Sequence, residues 1–158
     1  MNLYQSLGHL VLGSRLRRLS EAFLAEINRA YQTAGIDFDA SWFPVFYILS
    51  KQQNIPLIDI AEQLEVSHSA VSQLITGLKK KGLVKTGPCA DDGRRQLVML
   101  SKKGEELLQQ VQPVWKAITL AMADLTESQQ QLLDAITKVE KAVQQEPLST
   151  RIISSMKN

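Results

Sequence analysis

Between Ile60 and Val84 the chain reads IAEQLEVSHSAVSQLITGLKKKGLV. Wound at about 100° per residue, the stretch from His68 onward divides into two arcs. Val71, Leu74, Ile75 and Leu78 share one of them. Ser69, Ser72, Gln73, Thr76 and Lys80 share the other, with more lysine at its C-terminal end. The polar arc holds no carboxylate, unlike the Glu/Lys mixture of a face that only keeps a helix in solution. Short hydroxyls and an amide can reach the edges of bases in a major groove, and cations at the helix end sit where phosphates pass. Ser67, just before the helix, is of the type that caps an N-terminus, and its hydroxyl stands beside the same arc. An ordinary helix hairpin with a polar surface is the bland alternative; the turn chemistry, the Ser cap and the missing acids weigh against it.

A second constellation follows. Asp92-Gly93-Arg94-Arg95 lies between two short runs rich in β-formers, Leu83 to Thr86 and Arg95 to Ser101, and so falls at the tip of a hairpin. An arginine on a projecting tip, Arg94 with Arg95 beside it, can enter a minor groove, where the negative potential is strongest when the groove is narrow. Asp92, two residues earlier, can hold that guanidinium by a charge-assisted hydrogen bond. An exposed turn with incidental charges explains the hairpin alone, but not a hairpin directly behind a helix of this kind. Together they read as a winged helix-turn-helix. The charge distribution agrees: the whole chain carries +2, but residues 66–104 hold eight basic side chains against two acidic, leaving ten against fourteen elsewhere. A positive field focused on one part of a near-neutral molecule suits a polyanionic partner.

These residues must be held by a scaffold. From Asn2 to Tyr31 apolar residues recur every three or four positions, which predicts one long amphipathic helix, bent near Gly13. Ser41 is the expected N-cap of a second helix, WFPVFYILSK, apolar on nearly every side and so expected to be buried. Pro56 opens a short third helix, Val66-Ser67 form the turn, and Gly82 closes the fourth. After the hairpin a helix runs from Lys102 to Leu125, with a kink expected at Pro113. Thr126 with Gln129 predicts a capping box for a last helix through about Val143; the tail has no clear period. The expected fold is mainly α with a small β-hairpin wing: a winged helix-turn-helix lobe over residues 37–103, and a long helical dimerisation lobe from residues 1–36 and 104–158. The apolar stripes of the end helices are longer than the central unit can cover, and a second copy of the chain is the economical partner.

The sequence resembles the MarR (multiple antibiotic resistance regulator) family of bacterial transcription regulators. Asp92-x-Arg94-x-x-x-Val98-x-Leu100-Ser101-x-x-Gly104 is similar to that family's wing signature, and SHSAVSQLITGLKKKGLV resembles its recognition helix and first wing strand. The resemblance, which extends to about Val143, implies a homodimer formed by the first and last two helices. It also implies binding to palindromic double-stranded DNA, usually as a repressor, often relieved by a small molecule held between the lobes. Redox-sensing members carry a reactive Cys in the first or second helix; here the single Cys, Cys89, lies in the wing loop. Some relatives continue into a C-terminal acetyltransferase domain, for which too little chain follows.

Other classes fit less well. One Cys excludes a disulfide framework, and His9, His68, Cys89 and Asp91 are scattered candidates for a metal, so no cofactor is expected. No Ser-His-Asp set or P-loop is present, which argues against an enzyme. No run of 18 apolar residues occurs, and the N-terminus lacks a secretory pattern, so a cytoplasmic chain with no membrane partner is expected. Trp42, Phe43, Phe46 and Trp115 are candidates to line a cavity for a small amphipathic or aromatic ligand, with His9 or Arg15 at its anionic end; plain core is the competing role for these aromatics. A dimeric ligand-binding or protein-interaction module that binds no operator is the remaining alternative, and it would not require the basic arc or the wing arginine.

Overall fold

The computed structural model describes residues 2–88 and 95–157. The N-terminal apolar repeat forms three pieces in place of one helix: α1 (Leu3–Ser6), a 3-10 turn (Gly8–Val11) and α2 (Leu12–Thr33). The break lies at Gly8, whose φ of +54° is left-handed, while Gly13 stays inside α2. Only a residue without Cβ takes that conformation at little cost, and periodicity cannot say which of two glycines will use it.

Asp39, not Ser41, caps the next segment: its carboxylate accepts from the Ser41 backbone N–H at 2.8 Å. A 3-10 turn (Ala40–Trp42) then leads into α3 (Phe43–Lys51), with Pro44 in its first turn, where its missing N–H costs nothing. Val45, Phe46, Ile48 and Leu49 are buried, but Phe43 and Tyr47 remain 39% and 47% exposed, so α3 is not covered on every side. Strand β1 (Ile55–Pro56) follows, too short to leave a pattern in the sequence. Helices α4 (Leu57–Leu64) and α5 (His68–Lys80) pack together, with Ala61 buried between larger neighbours.

Strands β2 (Val84–Pro88) and β3 (Gln96–Leu100) form the hairpin, and β1 joins its other side, giving the antiparallel order β1-β3-β2. Val84 faces Leu100, Thr86 faces Val98, and Val98 also faces Ile55. Helix α6 (Lys102–Leu125) runs on through Pro113 as one element. Ser101 caps it: its Oγ accepts from the Gly104 N–H at 3.0 Å. A Cβ on Gly104 would collide with the Leu83 carbonyl, so only glycine lets the start of α6 lie against the chain entering β2. The core of this part joins Phe46, Ile55, Ile60, Val71, Leu78, Val98 and Val111, all nearly or fully buried.

The chain divides into two compact units, Met1–Trp115 and Lys116–Asn158. In the second, α7 (Gln130–Gln145) starts without the expected capping box, since Thr126 Oγ1 turns back to donate to the Met122 carbonyl at 2.8 Å. The unassigned tail contains α8 (Leu148–Ser155). Arg151 joins it to the end of α7, donating to the Ala142 carbonyl at 3.2 Å and pairing with Glu146 at 3.3 Å. Among the described residues no helix is long and apolar enough to cross a membrane.

Candidate nucleic-acid interface

Helix α4 ends at Glu65, which takes a left-handed φ of 52° and lets the Val66 N–H reach the Ala61 carbonyl at 3.1 Å. The chain then enters α5 through Ser67, whose Oγ accepts from the Ala70 N–H at 3.2 Å and lies 3.2 Å from the Ser69 hydroxyl. Val71, Ile75 and Leu78 are buried and Leu74 is half-buried, which fixes the rotation of α5. Ser69, Gln73, Thr76 and Lys80 are exposed and Ser72 is half-buried. One helix thus holds a continuous polar surface with no carboxylate in it.

The far end of α5 is secured by groups that draw on the same basic cluster. Gly82 turns the chain with φ 72°. Lys103 Nζ donates to the Lys81 carbonyl at 3.0 Å, a cation at the negative end of a helix dipole. Ser101 Oγ donates to the Gly82 carbonyl. Lys79 Nζ donates to Thr86 Oγ1 at 2.9 Å, tying α5 to β2. Lys79, Lys80, Lys85, Lys102 and Lys103 are all exposed, but Lys79 and Lys103 are engaged in holding the scaffold.

At the loop end of the hairpin, just before β3, Arg95 is half-exposed, with its Nη2 3.5 Å from the Asp59 carboxylate in the first turn of α4. The sequence reading missed Asp59; an acid at a helix N-terminus has its own local reason to be there, which hides a distant partner. Ser101 and Gly104 were visible as pattern residues, but their work shows only in the contacts with Gly82 and Leu83. Asp92, Arg94 and Cys89 lie outside the described residues.

Of the six ligand candidates, the structure gathers Trp42, Phe46 and Trp115 into one aromatic cluster around Phe38, and Phe43 meets Trp115 edge-on at 5.0 Å. Phe38 meets Phe46 edge-on at 5.1 Å, Trp42 at 5.5 Å, Tyr31 at 5.0 Å and Trp115 at 6.4 Å between ring centroids. Phe46 is fully buried, and Trp115 Nε1 donates to Tyr31 Oη at 3.1 Å. Burial pushes the Tyr31 phenol above its usual pKa, with the Trp115 hydrogen bond opposing the shift. His9 and Arg15 stand apart from this cluster: His9 is exposed in the 3-10 turn, and Arg15 lines an open groove of about 490 Å³ with Tyr4, Leu12, Leu16, Arg18 and Leu19.

Residues 36–95 match the model of the MarR family. The HTH-type transcriptional repressor IacR of Pseudomonas putida is 27% identical over 105 residues, a stretch that covers 66% of this chain and 63% of that protein. Among solved structures, the complex of S. aureus MepR with DNA superposes with a TM-score of 0.73 at 20% identity, covering 83% of this chain and 97% of MepR. The PcaV transcriptional regulator of Streptomyces coelicolor, in complex with its natural ligand, gives 0.71 at 18% identity over 87% of this chain and 95% of its own.

Proposed function

We propose, from the match of residues 36–95 to the MarR family model, that the chain is a MarR-family homodimeric DNA-binding transcriptional regulator, a cytoplasmic repressor released by a small molecule. The observation that carries this reading is the carboxylate-free polar arc of α5, presented outward by a buried apolar arc and closed by exposed Lys80. Likeness to a repressor and to a DNA-bound regulator supports it.

In this reading α5 enters a major groove. Gln73 and Ser69 read base edges, with Ser72 and Thr76 beside them; an amide can pair bidentately with adenine. Ser67 and Lys80 meet the backbone at the two ends of the helix. Arg94, supported by Asp92, enters the minor groove, and Arg95 meets a phosphate once it leaves Asp59. Residues 1–36 and 104–158 serve dimerisation, so that two copies of the lobe at 37–103 read a palindrome whose half-sites lie roughly 10 base pairs apart. The ligand is a small amphipathic or aromatic molecule admitted beside Trp42, Phe46 and Trp115, with His9 or Arg15 as candidates for its anionic end; a ligand-bound relative of the same fold supports such regulation.

Selection from a random duplex library, followed by anisotropy titrations at several salt concentrations, tests the reading. Gln73→Ala is expected to cost about 1–3 kcal/mol on the selected site and little on random DNA. Lys80→Ala is expected to weaken both, and to lower the slope of log K against log salt by about one per phosphate lost. A protein that prefers no duplex over any other sinks the proposal.

A further inference from the structure

Lys81 ends α5, and its ammonium does not join the polar arc: Nζ lies 5.2 Å from the ring centroid of Trp42. That is within the distance, about 6 Å, at which an indole face attracts a cation. Trp42 is half-buried, and its ring stands edge-on to Phe38 with an interplanar angle of 75°. Phe38 is 6% exposed and packs in turn on Phe46 and Tyr31, so the indole face is held by the core. The end of α5 is thus secured from three directions. Lys103 and Ser101 hold the carbonyls of Lys81 and Gly82, and Trp42 holds the Lys81 side chain.

We propose that Trp42 and Lys81 are positioning residues for DNA reading: the indole face grips the Lys81 ammonium and fixes the C-terminal end of α5 relative to the aromatic cluster. The inference rests on the DNA-binding reading above and adds a division of labour to it. Neighbouring lysines do different work, Lys80 meeting phosphate and Lys81 acting as a strut. Both lysines are exposed, but the Lys81 ammonium must leave the ring face to reach a phosphate, whereas Lys80 lies on the reading surface itself. The strut adds a link between the half-buried edge of the cluster and the end of α5, so a ligand that rotated the Trp42 ring would bear on that end.

Titrations on the selected duplex, with the parent, Lys81→Met, Trp42→Leu, Trp42→Phe and the double variant, test this. Met retains the apolar stem of Lys81 without its charge. Lys81→Met and Trp42→Leu are each expected to weaken binding by about two- to fivefold, the range a partly exposed cation–π contact supports. The double variant is expected to bind no more weakly than the weaker single variant. Trp42→Phe should fall between parent and Trp42→Leu. The salt slope should be unchanged in Lys81→Met but lower by about one in Lys80→Ala. Additive losses, or a salt slope that falls in Lys81→Met as in Lys80→Ala, would overturn the strut and make Lys81 a phosphate contact. The contact is also read without DNA: in a Trp115→Phe background Trp42 is the one remaining indole, and Lys81→Met should change its emission at an unaltered melting temperature. Unchanged emission refutes the contact. Absence of any preferred duplex for the parent fails the DNA reading itself, and the positioning role with it.

Discussion

Tyr31 shows how a single side chain couples the core to solution conditions. It is 1% exposed and accepts a hydrogen bond from Trp115, a residue 84 positions away. Burial favours the neutral phenol, so the folded pKa lies above the value near 10 of an exposed tyrosine. The stability contributed by the neutral phenol is complete below that unfolded value and is lost as pH rises through the folded one. Tyr31→Phe should therefore flatten the alkaline limb of the stability curve relative to the parent, while costing about 1 kcal/mol at neutral pH for the lost hydrogen bond. Urea melts of both proteins at pH 7 and above pH 10 compare the two effects; equal alkaline losses would contradict the assignment. The outward arc of α5 was legible in the sequence because rotation about one helix follows from its own apolar spacing. Trp115 on Tyr31, Lys81 on Trp42 and Arg95 on Asp59 were not, because each joins residues that no local period relates.

At the scale of elements, the hairpin is held along β3 by two devices, the pairing of β1 with Leu97 and Val98 and, at the loop end, the ion pair between Arg95 and Asp59. The pair is partly exposed, so its contribution to stability is under about 1 kcal/mol. On the proposed DNA-binding reading its larger effect is on affinity: while Asp59 holds the guanidinium, Arg95 is partly neutralised. Asp59→Asn should raise affinity for random DNA and steepen the salt slope by up to about one, with little change in melting temperature. A fall in affinity would mean instead that the pair orients the wing. The long, strongly periodic helices and the hairpin were readable from spacing and turn residues. Their boundaries were less so: the break at Gly8, the cap at Asp39 and the start of α7 each turned on which of two suitable residues took the role. Strand β1 is two residues long and pairs along the edge of β3, and α8 is short, secured by Arg151.

Across the whole molecule, both units carry apolar side chains that water should not keep. In the first unit Leu12, Leu16, Leu19 and Leu24 of α2 are exposed; in the second, Ile136, Val139 and Val143 of α7 and Ile152, Ile153 and Met156 of α8 are exposed. Stripes of this length point to an obligate partner, and a second copy is the simplest. Sedimentation should give about twice the 17.7 kDa of one chain. Leu16→Glu combined with Leu19→Glu should dissociate the proposed dimer and expose the chain to aggregation; a full-length, well-folded monomer of the parent at micromolar concentration would be the contrary result. Ser101 carries a consequence at this scale too. Its one hydroxyl donates to the last turn after α5 and accepts from the first turn of α6. The end of α5 and the start of α6 are therefore tied through one oxygen, so that fraying at either end removes a hydrogen bond from the other.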